Sequence, residues 1–132
     1  MLRDHDEYLR RHQWALLSTI RADGSPQVSM VAYDFDGDDF VLSCRRATAK
    51  FANAARDLRV VLTIADDRRY LAAAGTAEAV TEGPRLHELT LRLQASLPPD
   101  DAAALQEEID RGLEHVGRAI LRLVPERVVG RI

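Results

Sequence analysis

The chain has 132 residues, 46% hydrophobic and 30% charged, with 18 Lys+Arg against 21 Asp+Glu and a formal net charge of −3. That size and balance suit one domain with its own core and argue against disorder, while the slight acidic excess argues against a nucleic-acid binder. A single cysteine, Cys44, excludes an internal disulfide framework and a cysteine-based zinc site; no apolar run reaches the roughly 20 residues that span a bilayer; and the charged start Met1–Glu7 lacks an apolar signal core, so a cytoplasmic protein is expected.

Residues 3–12 interleave charges with Tyr8 and Leu9, the pattern of a short amphipathic helix. Trp14–Ile20 reads as a strand, and Ala22–Ser25 as a hairpin turn because Asp-Gly readily supplies positive φ. Pro26–Tyr33 alternates with period two, Asp34–Asp38 is a second tight turn, and Phe40–Cys44 is a third strand, so this stretch predicts an antiparallel meander. Period two stops at Arg45. Arg45–Arg56 reads as a loop feeding a short Ala-rich helix with Thr48 as its N-cap. Leu58–Ile64 is a buried β-branched strand, Asp66–Arg69 a polar turn, and Tyr70–Thr81 a long strand weakened by its alanines. Pro84 opens a helix over 84–97 whose Leu86, Leu89, Leu93 and Leu97 share one face. Pro98-Pro99 ends it, and Asp100 is the expected cap of a second helix with Ala104, Leu105 and Ile109 on its apolar stripe. Arg118–Val124 returns to strand, Pro125 is expected to interrupt it, and Glu126–Ile132 gives a last short strand. The sum is a single mainly β domain with α, over 1–132: six or seven mostly antiparallel strands with three or four peripheral helices. Closure into a small barrel removes the exposed edges.

Few side chains carry chemistry at a suggestive spacing. His5, His12, His87 and His115 do not pair at a metal-ligand interval and read as surface residues. Cys44 has no activating base nearby in sequence and reads as a small core residue. The serines lack nucleophile-elbow glycines, and Glu107, Glu108 and Asp110 read as a solvated helix face. Ser43–Lys50 is the exception. It gathers Arg45, Arg46, Thr48 and Lys50 where a strand meets a helix N-terminus, whose free N–H groups attract anions. Lys50 is the only lysine among the 18 basic residues, and lysine is not equivalent to arginine at a phosphate site. A solvated basic turn and an anion site both remain open. Val28, Ser29 and Met30 on the hairpin strand offer a flat surface, and an anion anchor beside such a strand suits a nucleotide-like or flavin-like ligand.

Several segments in order resemble the split β-barrel flavin and deazaflavin oxidoreductases, the superfamily that contains pyridoxamine-phosphate oxidase. Gly24-Ser25-Pro26-Gln27-Val28-Ser29 is similar to its second strand. Thr48-Ala49-Lys50-Phe51-Ala52-Asn53 followed by Arg56-Asp57-Leu58-Arg59-Val60 is similar to its central motif, Gly75-Thr76-Ala77-Glu78 to its G-x-A strand, and Val124-Pro125-Glu126-Arg127-Val128 to its closing strand. The resemblance spans residues 8–132. The helical insertion at 84–118 and the T-A-K pattern bring the chain nearer the small reductases that use coenzyme F420.

That resemblance implies an F420-dependent oxidoreductase that transfers a hydride between the deazaflavin and an unsaturated or conjugated small molecule. The alternatives are an FMN-binding oxidase or reductase and a non-catalytic flavin-binding protein. It also implies a homodimer with the cofactor at the interface. Carried over by position, Lys50 would contact the cofactor's phosphate or acidic tail, with Thr48 adding a hydroxyl and Ser43, Arg45 and Arg46 beside them. Val28, Ser29 and Met30 would line the ring, and Arg68 and Tyr70 would reach it from the partner chain. Asn53 and Arg59 are assigned to structure. Tyr33 or Tyr70 would be a weak proton donor. Many relatives carry arginine in place of Thr48, another basic residue near Ala52, and aromatic residues near Arg68 and the C-terminus, so this anion site departs from theirs.

Overall fold

Side-chain alternation builds the barrel wall. In strand β1 (Trp14–Ile20), Ala15, Leu17 and Thr19 are buried while Trp14 and Leu16 are exposed. A computed structural model, which describes residues 3–131, closes six antiparallel strands in the order β1-β2-β3-β6-β5-β4. The others are β2 (Pro26–Phe35), β3 (Phe40–Arg45), β4 (Arg59–Asp66), β5 (Arg69–Val80) and β6 (Arg118–Arg131). Ile132, the expected end of the last strand, and the side chain of His115 lie outside the described residues.

The turns are built locally. Asp23 Oδ1 accepts from the backbone N–H and the hydroxyl of Ser25, at 3.0 and 2.6 Å, and Gly24 takes φ +89°. Asp36 Oδ1 accepts the backbone N–H groups of Asp38 and Asp39, both at 3.0 Å, which closes the β2–β3 turn. Inside the barrel, Leu17, Tyr33, Phe40, Leu42, Leu62, Ile64, Leu71 and Leu121 form the core, and Leu9 of α1 (Asp6–Arg11) packs into the same cluster. Each such side chain contributes about 2 kcal/mol of burial.

Helix α2 (Ala49–Arg56) is fastened through Asn53, whose Nδ2 donates to Gln27 Oε1 at 3.0 Å and Thr19 Oγ1 at 3.3 Å. Helix α3 (Gly83–Gln94) lays Leu86, Leu89 and Leu93 on a second cluster with Val41, Val80 and Ile120, on the outside of β3, β5 and β6. Arg92 pins it further, reaching Asp34 at 2.6 Å and Asp39 at 2.9 Å. Helix α4 (Pro99–Asp110) and the short α5 (Glu114–Gly117) complete the insertion before β6.

Three expectations are corrected. The break at Pro125 is absent and β6 runs on to Arg131, because a bulge absorbs the proline. Gly75 pairs with Pro125 while Ala74 pairs with Arg127, which leaves Glu126 as the extra residue. Proline has no N–H to give a ladder, and a bulge is where that loss is tolerated. The strands therefore number six. The first long helix ends at Gln94, short of 97. Asp100 is not the cap of α4: Pro98 holds that position, and Asp100 and Asp101 sit in the first turn, where their charge suits the helix dipole.

Candidate functional site

Strand β3 ends at Arg45, a turn follows, and α2 begins at Ala49. Thr48 sits at the N-cap with extended backbone, but its hydroxyl donates to the Arg45 carbonyl at 2.7 Å and does not cap the helix. That bond steadies the turn. The same turn projects Lys50 from the first turn of α2 into a groove of about 580 Å3 between the barrel and α4. Met30, Ser43, Arg45 and Lys50, all singled out from sequence, line this groove together.

The other expected site residues lie elsewhere in this chain. Arg46 donates to the carbonyls of Thr81 and Arg118 and so ties β3 to the end of β5 and the start of β6. Strand alternation separates Val28 and Ser29: Val28 shares the outer face with Met30, whereas Ser29 lies half-buried and accepts from Gln27 Nε2 at 3.4 Å. Arg68 and Tyr70 are exposed at the β4–β5 turn, away from the groove.

The groove also uses residues that carried no signal. Trp14 at the start of β1 stands exposed beside Met30, and Leu105 of α4 closes the opposite wall. Glu108 was expected on a solvated face. Instead its carboxylate is shielded, with Oε2 accepting from Arg118 at 2.6 and 3.1 Å and Oε1 accepting from Arg45 at 2.9 Å. Burial alone would raise its pKa; the hydrogen bonds and charge of Arg118, then those of Arg45, outweigh it and hold the carboxyl below its usual range. The available sequence signal was spacing, since Glu108 follows Leu105 by three residues and shares its helix face.

Arg118 also donates to Ser43 Oγ at 2.6 Å, and Arg111 pairs with Glu107 at 3.1 Å. Lys50 differs from these three arginines: among the described residues no carboxylate stands within ion-pair distance of it.

Two reactive candidates lie inside the barrel core. Cys44 is buried, its Sγ donates to the Ala119 carbonyl at 3.6 Å, and burial pushes the thiol up to about 11, with Lys50 and Arg118 only partly opposing. Tyr33 is removed as a proton donor: it is buried, its hydroxyl donates to the Leu9 carbonyl at 2.5 Å, and burial raises its pKa far above the usual value. Asn53 fastens α2 to β1 and β2, and the exposed Arg59 pairs with Asp57 at 2.7 Å. Among the described residues no three His, Cys, Asp or Glu side chains gather as a metal site, and no helix is long and apolar enough to cross a membrane.

Over residues 1–130 the chain matches the pyridoxamine 5'-phosphate oxidase family. A conserved hypothetical protein from Mycobacterium tuberculosis shares the fold with a TM-score of 0.76 at 22% identity, over 97% of this chain and 82% of that one. An F420 reductase superposes with a TM-score of 0.66 at 24% identity over 94% of each chain. A heme storage protein from Vibrio cholerae does so with a TM-score of 0.76 at 16% identity, over 98% of this chain and 94% of that one. At such identities the likeness shows the fold alone. No curated protein matches the chain.

Proposed function

The chain belongs to the pyridoxamine 5'-phosphate oxidase family, and from that premise we propose that it is a homodimeric oxidoreductase. In this reading it holds coenzyme F420 in the groove beneath α4 and acts on an unsaturated or conjugated small molecule. Lys50 carries the reading. It is a cation without an ion pair among the described residues, in a groove of ligand-sized volume, beside the exposed apolar side chains of Trp14 and Met30.

The donor set fits the group. Lys50 would hold the phosphate, with Ser43 beside it and Thr48 supporting the turn. Arg45, Arg111 and Arg118, on the same walls, would meet the acidic tail in exchange for Glu108 and Glu107, their partners in the chain. Trp14 and Met30 would lie against the flat ring. When bound, the reduced deazaflavin supplies a hydride for an electron-poor acceptor. The chain's own task is to fix the anion and orient the ring, which lowers the entropy barrier of transfer. With Tyr33 sealed in the core, an added proton would come from solvent or from the partner's Tyr70.

The homodimer is supported by the barrel's outer face. Register places Met30, Leu16, Thr63, Ala72 and Val129 in one row across β2, β1, β4, β5 and β6. Met30 is 64% exposed, Val28 59% and Val129 53%. Exposed apolar side chains gathered on one sheet face mark an interaction surface, and a second copy related by a twofold axis would cover both faces at once. Met30 belongs both to this face and to the groove, so the groove would open at the seam, where the family resemblance would bring the partner's Arg68 and Tyr70.

FMN is the second reading. One terminal phosphate suits one lysine without an ion pair among the described residues, with the three arginines of the groove staying on Glu107 and Glu108. Titration of the protein with F420 and with FMN, followed by cofactor fluorescence, separates the readings. Micromolar F420 affinity with weaker FMN binding is expected. Tight FMN binding would transfer the assignment to FMN, and binding of neither would leave a barrel without a flavin role.

A further inference from the structure

Helix α4 is held to the barrel by little apolar contact. Leu105 is its only buried side chain, and Gln94 of α3 reaches it through the Ala102 carbonyl and Gln106, both at 3.0 Å. The strong tie is Glu108. Arg118 places Nε and Nη2 on one carboxylate oxygen, at 3.1 and 2.6 Å, and Arg45 places Nη1 on the other at 2.9 Å. Two guanidinium groups around one carboxylate are the arrangement by which arginines hold a ligand's carboxylate or phosphate. The inner part is well shielded, the Arg118 and Glu108 side chains being 11% and 13% exposed.

This clamp lies inside the groove. Arg45, Glu108, Arg118 and Lys50 all line it, Arg118 is braced on Ser43, and the buried Cys44 thiol senses the charges of both Lys50 and Arg118. The groove thus holds a formed anion site whose occupant is the chain's own carboxylate. Pro98 and Pro99 fix the backbone where the helix that carries this carboxylate begins, and the point where the chain can pivot follows it at Gly112, with φ +70° and nothing within 4 Å of an added Cβ.

The geometry points to Glu108 as a resident anion that keeps α4 closed over the groove, and to a ligand's phosphate or carboxylate taking over Arg45 and Arg118 from it, so that α4 opens as the ligand binds. The inference rests on the groove being the cofactor site. Because ligand and Glu108 compete for the same guanidinium groups, binding is reduced by the strength of the closed clamp. The clamp also sets a charge threshold: a ligand bringing two or more negative charges, with Lys50 as a further partner, displaces one carboxylate where a small monoanion does not. Glu108 is a positioning and specificity residue in this account, without contact to reacting atoms.

The test is amide hydrogen exchange across residues 99–110 of the full chain, free and with millimolar inorganic pyrophosphate, against acetate at matched ionic strength. Amides of α3 serve as the internal reference. In the wild type, pyrophosphate should speed α4 exchange about five- to tenfold while acetate leaves it unchanged. Glu108→Gln should exchange at the fast rate with or without pyrophosphate. It should also bind whichever of F420 or FMN the wild type binds about fivefold or more tightly. Arg45→Gln should loosen α4 in the same way yet weaken cofactor binding, which separates takeover of the anion site from a merely loosened helix. Unchanged α4 exchange in wild type with pyrophosphate overturns the proposal, as does a Glu108→Gln chain that binds the cofactor no more tightly. If neither cofactor binds the wild type, the cofactor reading fails, and the pyrophosphate comparison still decides the fate of the gate.

Discussion

Gly75→Ala puts a methyl group where β5 and β6 approach most closely. A Cβ at position 75 would stand 2.0 Å from the Val124 carbonyl oxygen and 3.1 Å from Leu123 Cδ1. The first contact is with backbone, so no side-chain rotation relieves it. The bulge must open by about 1 Å, which strains the ladder on either side of Pro125. Overpacking of a tight site costs about 1–3 kcal/mol, and one or two weakened ladder bonds add about 1 kcal/mol each, for a total of about 3 kcal/mol. With 132 residues, the unfolding entropy is about 0.28 kcal/mol/K, so Tm should fall by about 10 °C. A thermal melt followed by circular dichroism measures this directly. Gly83→Ala is the matched control: φ is +80° there, but nothing lies within 4 Å of the added methyl, so a loss of about 1 kcal/mol is expected. A Gly75→Ala Tm within about 3 °C of wild type would refute the reasoning, because it would mean the bulge accepts a side chain.

Asn53→Ala should cost about 2–3 kcal/mol in urea unfolding, because it removes two donated bonds and leaves the buried Thr19 and the amide oxygen of Gln27 without that donor; a loss below about 0.5 kcal/mol would contradict the fastening of α2 through Asn53. The Cys44 thiol, raised to about 11 by burial, should resist alkylation of the native protein at pH 8 and react on unfolding, and rapid labelling of the native state would contradict its burial. The same shift has a sign in stability. The folded state holds the proton more tightly, so this contribution is full below the unfolded value near 9 and is lost as pH rises toward 11. Wild type should therefore lose about 2 kcal/mol more than Cys44→Ala over that range, and equal losses would overturn the assignment.

The meander, the α2 segment and both long helices were legible because their signals are local. Asp-Gly turns, period two in 26–33 and leucines at helical spacing each act over a few residues. Pro125 misled because its context is not local: the strand continues only because Gly75, fifty residues away in sequence, lets Val124 approach and the register slip by one. The site divides in the same way. Ser43, Arg45 and Lys50 are close in sequence and stay together in the groove, while Met30 joins them through β2. Arg46 and Thr48 share that segment but turn to carbonyls: Thr48 to the local acceptor of its own turn at Arg45, and Arg46 to Arg118 and Thr81, distant in sequence and brought near by the fold. Ser29 is separated from Val28 and Met30 by strand alternation, which was already readable from period two. Glu108 was hidden because its meaning depends on Arg118 and Arg45, brought beside it only when α4 folds over β3 and β6.

Lys50→Ala, measured by cofactor titration against wild type, tests the central claim most directly. Loss of a charge-assisted hydrogen bond to phosphate is worth about 1–3 kcal/mol, so the Kd for F420 should rise about tenfold or more while Tm stays within about 2 °C of wild type. An unchanged Kd in a folded Lys50→Ala protein would contradict the account and move the anion anchor away from this groove.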